Sequence, residues 1–144
     1  MKRHATANWS GALADGKGTL DTQSGALSSH GYSFKSRFED ESGKSGTNPE
    51  ELLGASHAGC FAMALSHALA ENGTPAENLE ARAVVTVEQI EGGFEVKSSA
   101  LTLTGKVPGI EEAKFLELAN DAKANCPISK ALGAIEITLD AKLV

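Results

Sequence analysis

A long run of small and apolar residues between Thr47 and Glu71 constrains the fold more than any other segment. Its start is a strong helix signal, because Thr47 or Asn48 can cap the first turn and Pro49 suits the position that follows. Gly73 then provides a stop. The apolar residues surround most of the helix circumference: Leu52, Leu53, Ala55, Ala58, Gly59, Phe61, Ala62, Met63, Ala64, Leu65, Ala68 and Leu69. Such a helix is buried at the centre of a structure.

The segments before this helix predict a three-stranded meander. Residues 5–10 and 17–23 form two short β-like segments. In residues 31–39 apolar and polar positions alternate, with one face made of Tyr32, Phe34, Ser36 and Phe38. Alternation with a period of two indicates a half-buried strand. A polar loop at 40–46 separates this third strand from the helix.

The C-terminal half predicts a hairpin, two helices and a closing strand. Its two β-rich runs are joined by a turn that contains two glycines. The predicted ranges are, in order, 79–90, 94–105, 110–124, 127–132 and 134–143. Strands joined in hairpins, rather than alternating with helices, indicate an α+β fold with a mostly antiparallel sheet.

Length and charge restrict the classes of function that the chain could have. The 144 residues suit one domain, residues 1–144, and an apolar fraction of 41% suggests a modest core that oligomerisation would complete. A formal net charge of −6 argues against nucleic acid or an anionic membrane as partner. No uninterrupted 18-residue apolar run and no signal peptide are evident. We therefore expect a cytoplasmic protein.

Two cysteines, Cys60 and Cys126, are the candidate reactive groups. They could be packing residues, metal ligands or a redox pair. Cys60 lies within the long helix, where a buried and inert thiol is common. Cys126 precedes Pro127 at a predicted helix start, where free N–H groups and the helix dipole lower the pKa of a thiol.

His57 and His67 widen the alternatives. His57 is three residues before Cys60 and shares its helix face, so the two could be base and nucleophile of a cysteine hydrolase or acyltransferase. Zinc binding by the cysteines and histidines is disfavoured, because no Cys-x-x-Cys or His-x-x-x-His spacing is present.

Arg37 and Glu50 are a further candidate pair. Arg37 lies on the predicted third strand and is either a solvated charge beside Glu39 or a guanidinium that stabilises a thiolate. Glu50 is either an ordinary carboxylate of the first helical turn or the group that holds the guanidinium through two hydrogen bonds.

Taken together, four stretches of this chain resemble the OsmC/Ohr family, the organic hydroperoxide resistance proteins. They are YSFKSRFE at 32–39, GTNPEELLGASHAGCF at 46–61, NCPIS at 125–129 and AIEITL at 134–139. The resemblance extends from about Thr6 to Val144. It implies an intertwined homodimer in which antiparallel sheets wrap around two central helices, one from each subunit, with active sites at the subunit interface. The context of Arg37 fits the OsmC subgroup, because the Ohr subgroup takes its arginine from an earlier stretch.

The resemblance also implies a reaction. The chain would be a thiol-dependent peroxidase that reduces alkyl or lipid hydroperoxides to alcohols, and H2O2 less efficiently. Cys60 would become a sulfenic acid, and Cys126 would resolve it as a disulfide. A dithiol, of lipoyl type in the family, would restore both thiols without a metal or an organic cofactor. Arg37 and Glu50 match the family's arginine and carboxylate. The expected apolar entrance for substrate consists of Phe34, Phe38, Leu53, Phe61 and Met63.

The spacing of Glu50 and Cys60 restricts how they could meet. Ten residues on a straight helix are about 15 Å apart along the axis and about 80° apart around it. Either the helix breaks near Gly54, or the other subunit supplies Glu50. A non-catalytic, stress-related binding protein, with both cysteines as packing residues, stays open beside the peroxidase and hydrolase hypotheses.

Overall fold

The computed structural model describes all residues from Met1 to Val144. It contains six strands and four helices: β1 (Ala5–Ser10), β2 (Lys17–Thr22), β3 (His30–Tyr32), α1 (Phe34–Phe38), α2 (Pro49–Glu71), β4 (Asn78–Ile90), β5 (Gly93–Lys106), α3 (Glu112–Asn125), α4 (Pro127–Ala131) and β6 (Glu136–Leu143). The chain divides into two compact units, Met1–Leu52 and Leu53–Val144, and the first turn of α2 belongs to the first unit while the rest of that helix belongs to the second. The α+β fold is confirmed, whereas a single domain over residues 1–144 stays a prediction.

The first unit contains the predicted meander, in which β2 pairs antiparallel with both β1 and β3. The third strand was predicted too long, because the observed strand ends at Tyr32 and a short helix follows it. Ser33 caps this helix: its hydroxyl accepts from the Ser36 N–H, and the Ser36 hydroxyl accepts from the Ser33 N–H. This reciprocal capping box stabilises a helix start. The prediction that Arg37 lies on a strand was therefore wrong.

The second unit is built on the three-stranded sheet β4-β5-β6. The predicted hairpin pairs β4 with β5 antiparallel, and Ile90 faces Gly93 across its two-residue turn. In that turn Gly92 has a φ of 91°, which glycine adopts without strain. Strand β6 runs parallel to β5, after a crossover through α3 and α4. The sheets are thus mostly antiparallel, with one parallel pair.

A single hydrophobic core fills the second unit, formed by one face of the sheet and by apolar residues of α2 and α3. It consists of Phe61, Leu65, Leu69, Leu101, Leu103, Val107, Phe115, Ala119 and Ala122. The α2 residues recur at every fourth position, so they lie on one helix face. Gly105 of β5 allows the Phe115 ring to approach, because a Cβ at Gly105 would lie 2.6 Å from that ring.

Helix α2 runs unbroken from Pro49 through Gly54 to Glu71. Within the chain it is buried on one face rather than on most sides. Its opposite face carries Met63, which is 76% exposed, and Gly59, which has no neighbouring atom near its Cα hydrogen. By length and mean hydropathy this helix could cross a membrane, although no uninterrupted apolar run is present. That is weak evidence, since the core helix of a soluble protein meets the same criterion.

Candidate active site

The two thiols lie in contact within the second unit. Cys60 Sγ, on α2, is 2.6 Å from Cys126 Sγ, at the junction of α3 and α4. Cys126 is completely buried, Cys60 is partly exposed, and both are free thiols. A disulfide bond is about 2.05 Å long, so only a small side-chain movement separates this arrangement from a cross-link.

The surroundings of the two sulfurs shift their pKa values in opposite directions. Burial raises the pKa of Cys60, and the neighbouring Cys126 thiol raises it further. Burial also acts to raise the pKa of Cys126, but the neighbouring Cys60 thiol, Ser129 and the Ile128 N–H together outweigh it and lower that pKa. Within the second unit no cationic side chain pairs with Cys60. A thiolate at this sulfur would be stabilised by a nearby cation or by hydrogen-bond donors.

Arg37 and Glu50 form a bidentate ion pair in the first unit. Arg37 Nε and Nη2 donate to the two oxygens of the Glu50 carboxylate, at 3.1 and 2.6 Å. Glu50, in the first turn of α2, is buried, whereas a third of the Arg37 side chain is exposed. The Arg37 guanidinium also lies 4.7 Å from the centre of the Phe38 ring. The carboxylate thus orients a guanidinium whose Nη1 makes no hydrogen bond.

A cavity of about 310 Å³ adjoins this ion pair in the first unit. Its walls are mostly aromatic or aliphatic, with the guanidinium as the one charged group: Trp9, Leu13, Tyr32, Ser33, Phe34, Arg37, Phe38 and Pro49. Phe34 and Phe38 were among the expected substrate contacts, whereas Trp9, Leu13 and Tyr32 were missed. One signal was available, since Trp9 is the only tryptophan in a chain with 5% aromatic residues.

The other three expected substrate contacts belong to the second unit. Phe61 is completely buried in its hydrophobic core, which accounts for that side chain without any ligand. Met63 is largely exposed, and Leu53 is half-buried. Phe61 and Met63 do not share a face of α2. Contact of Leu53, Phe61 and Met63 with a substrate stays a prediction.

His57 is completely buried and has serine hydroxyls at both ring nitrogens. Nδ1 lies 2.7 Å from Ser99 Oγ, and Nε2 lies 2.9 Å from Ser129 Oγ. Burial lowers the pKa of His57, so the imidazole is neutral near pH 7. Neither nitrogen is directed to Cys60, and the geometry does not favour the base–nucleophile pair of a hydrolase. Sequence reasoning missed both serines; Ser129 follows the Cys-Pro motif closely, whereas nothing marked Ser99.

No group of three or more histidine, cysteine or acidic side chains is arranged to hold a metal ion. His67, the other histidine considered as a zinc ligand, is exposed and lies 3.6 Å from the Glu71 carboxylate.

Known proteins resemble this chain in sequence and in fold. Residues 41–140 match the family described as OsmC-like protein. The chain is 45% identical to Peroxiredoxin OsmC of Escherichia coli over 143 residues, 99% of this chain and 97% of that protein. It is 33% identical to Organic hydroperoxide resistance protein OhrB of Bacillus subtilis over 69% of this chain and 73% of that protein. The crystal structure of that OhrB superposes with a TM-score of 0.74 and 29% identity, covering 96% of this chain and 98% of the other.

The family match covers more than half of the chain, the OsmC relative spans almost all of it, and the fold is shared with an Ohr structure. The chain therefore belongs to the OsmC-like protein family, within the wider group that includes the Ohr proteins.

Proposed function

We propose that the protein is a thiol-dependent peroxidase that reduces organic hydroperoxides, with Cys60 as the attacking thiolate and Cys126 as the resolving thiol. The observation that carries this proposal is the 2.6 Å separation of two free thiols that are 66 residues apart in the chain. The names of the relatives, peroxiredoxin and organic hydroperoxide resistance protein, support the same chemistry.

In the proposed cycle, Cys60 Sγ attacks the distal oxygen of the hydroperoxide. The O–O bond breaks, and the alkoxide takes up a proton and leaves as the alcohol. Cys60 is then a sulfenic acid. Cys126 attacks this sulfur, water leaves, and a disulfide joins the two residues. A dithiol reductant, which we infer to be of lipoyl type, returns both thiols by exchange.

The role we assign to the Arg37–Glu50 pair is to stabilise the Cys60 thiolate and to orient the peroxide. Burial raises the pKa of Cys60, so a nearby guanidinium would offset the cost of its negative charge. Because α2 is continuous through Gly54, Glu50 and Cys60 stand about 15 Å apart along one helix. We infer that Arg37 and Glu50 serve Cys60 of the partner subunit, in a homodimer.

Mixed dimers test this inference. A Cys60→Ser subunit combined with an Arg37→Ala subunit contains one complete site if the arginine acts across the interface, and none if it acts within its own chain. We expect the mixed dimer to regain activity that neither parent dimer has. Mixed dimers as inactive as both parents would contradict action across the interface.

The cavity beside Arg37 supports a preference for apolar hydroperoxides. Its walls are mostly apolar, and it is large enough for a small alkyl or aryl group. H2O2 would gain little from such walls, so we propose that it is reduced less efficiently. We further propose that the protein works in the cytoplasm, where dithiol reductants are maintained.

A pulse experiment tests the proposed function directly. Reduced protein receives a stoichiometric pulse of cumene hydroperoxide or, in parallel, of H2O2, and the remaining free thiols are titrated over time. We expect the organic peroxide to consume two thiols per chain rapidly and H2O2 to act more slowly. The Cys60→Ser variant is the control and should keep its remaining thiol. Little thiol loss with either peroxide would contradict the peroxidase proposal.

A further inference from the structure

His57 is a buried titratable group that the proposed peroxidase cycle does not use. Its ring is fully buried and ties together three elements, since it lies on α2 and contacts Ser99 of β5 and Ser129 of α4. Ser99 is also fully buried, and Ser129 is 5% exposed. Burying polar groups is costly unless they are hydrogen-bonded, and here both ring nitrogens have a partner.

Ser129 connects this ring to the thiol pair. It is the third residue of α4, the helix for which Cys126 is the N-cap. As the third residue of the helix that Cys126 caps, Ser129 places its backbone N–H and hydroxyl on the side of the N-cap residue, and both act to lower the pKa of Cys126. Their geometry falls short of a capping hydrogen bond. Hydrogen bonds join Ser99, His57 and Ser129, and Ser129 lies within the first turn after Cys126, which contacts Cys60, so the five residues form a row.

The direction of each hydrogen bond along this row follows from the protonation state of His57 and from a negative charge on Cys126. Burial lowers the pKa of His57, so the ring is neutral and carries one N–H. If Ser129 donates its O–H to a Cys126 thiolate, its oxygen is left to accept from His57 Nε2. Nδ1 then accepts from Ser99, and every donor points toward Cys126. Hydrogen bonds aligned in this way polarise one another.

We propose that His57 is a positioning residue for the resolving step: through Ser129, it orients and stabilises the Cys126 thiolate that attacks the oxidised Cys60. In that step a bond forms between the two sulfurs and the S–O bond of the sulfenic acid breaks. The departing hydroxide takes up a proton and leaves as water. The peroxide has already oxidised Cys60, so no further oxidant is needed.

The resolving step in this inference rests on the proposed function. The ionisation of the Cys126 thiol, however, can be measured in protein that has not been exposed to peroxide. No charged side chain hydrogen-bonds to His57, Ser99, Ser129 or Cys126, and Cys60 is the other titratable group in contact with Cys126. Changes in Cys126 reactivity after substitution of His57 or Ser129 therefore report on the row itself.

The test follows Cys126 as the single thiol of a Cys60→Ser protein. Because Cys126 is fully buried, its alkylation by iodoacetamide is measured across pH and corrected for local opening by amide hydrogen exchange of the same segment. The corrected rate gives its thiolate fraction without any peroxide. We expect Ser129→Ala and His57→Phe each to slow alkylation at neutral pH by roughly tenfold, the effect of losing one hydrogen bond to a charged group. The double variant should be no slower than Ser129→Ala, because His57 acts through that serine.

Two further variants separate positioning from packing. His57→Gln retains one acceptor and one donor, so it should recover most of the alkylation rate that His57→Phe loses. Ser56→Ala changes an exposed serine next to His57 on α2 and should react at the parental rate. If His57→Phe does not fold, Ser129→Ala, which removes a single oxygen atom, still carries the test.

Parental alkylation rates in folded Ser129→Ala and His57→Phe proteins overturn the proposal, and so does additive slowing in the double variant. In the protein with both cysteines, rapid mixing with cumene hydroperoxide should show unchanged formation of sulfenic acid followed by slower disulfide formation in these variants. If the parent shows no peroxide-dependent phase, the proposed function fails, while the alkylation result still decides the role of His57.

Discussion

Cys60 and Cys126 lie 66 residues apart in the chain, yet their sulfurs are 2.6 Å apart. The hydrophobic core holds them there, because Phe61 follows Cys60 directly and Ala122 lies one turn before Cys126. Neither thiol is placed by a flexible loop. The distance between them is therefore a property of the packed helices α2 and α3, and it should persist while one sulfur is oxidised.

Substitution of the two cysteines should have different effects. Cys60→Ser should abolish peroxide consumption, since the remaining thiol, Cys126, is completely buried and is not reached by the peroxide. Cys126→Ser should permit one turnover and then accumulate sulfenic or over-oxidised Cys60, which mass spectrometry of the intact protein would detect. Repeated turnover by Cys126→Ser at the parental rate, with a dithiol reductant, would show that Cys126 does not resolve the intermediate.

Breaking the Arg37–Glu50 pair should affect activity much more than stability. Arg37→Lys keeps the charge but loses the fork that binds both carboxylate oxygens. We expect this variant and Glu50→Gln to lower kcat/KM for cumene hydroperoxide by about a hundredfold. The thermal midpoint of Arg37→Lys should change little, because a third of the Arg37 side chain is exposed and the lysine keeps a positive charge beside the Glu50 carboxylate.

Lys114→Ala is a matched control for this experiment. It breaks an exposed 2.8 Å ion pair with Glu117 on α3 and should leave the activity unchanged. An equal loss of activity in this control and in Arg37→Lys would argue against a specific role for the arginine.

Stability should fall on mild acidification because of His57. Burial lowers its folded-state pKa below the ordinary 6.5, so in acid the unfolded chain binds a proton that the folded chain does not. The free energy of unfolding should therefore decrease below about pH 6.5, with a slope of up to about 1.4 kcal/mol per pH unit from this group. Urea titrations across this range measure it. In His57→Gln this part of the slope should disappear; an unchanged slope would assign the acid sensitivity to other groups.

Gly105→Ala should destabilise the second unit. The added Cβ would lie 2.6 Å from the Phe115 ring, which is fully buried and has little room to move. Overpacking of this kind typically costs about 1–3 kcal/mol. Denaturant titration measures the loss, and Gly31→Ala, where a Cβ meets no atom within 4 Å, is the control. Equal stability of the two variants would show that the ring moves aside freely.

A charge on the open face of α2 should dissociate the proposed homodimer. Met63 is 76% exposed in the single chain, and the adjacent turn carries Gly59. Met63→Glu would bury a carboxylate if this face packs against a second copy, and an unpaired buried charge is strongly unfavourable. Sedimentation should then report monomers. Asn120→Glu, an exposed position on α3, makes the same change of charge and should leave the assembly intact.

Most elements of the fold were predictable because their patterns have one interpretation. The capped apolar run predicted α2, and the two β-rich runs with a glycine turn predicted the hairpin. The prediction was wrong at residues 34–38 for a specific reason. Two aromatic residues four positions apart share a face in a strand and also in a helix. Local capping by Ser33 and Ser36 decides between these two structures, and the alternation of apolar and polar residues does not reveal this capping.

The candidate site was predictable only in part. The residue types left the pairing of Cys60 with Cys126, and of Arg37 with Glu50, as one alternative among several, and the family resemblance favoured it. Spacing could not decide, since contacts between distant residues leave no periodic signal. The structure brings together the members of each pair. Ser99 had no sequence signal, because a serine on a strand is ordinary until the partner of its hydroxyl is known. The direction of β6 was equally hidden, since alternation is the same in parallel and antiparallel strands.

The parallel pairing of β5 with β6 sets an order in which the chain can acquire its structure. The β4–β5 hairpin can form from neighbouring residues, whereas β6 reaches β5 only after α3 and α4 have been synthesised. Contacts between distant residues form late, because the intervening chain must first lose entropy. The segment that carries Cys126 belongs to this late part, so a nascent chain would present Cys60 before its partner thiol arrives. Peroxide present during translation would then meet a Cys60 whose neighbouring thiol has not yet been synthesised.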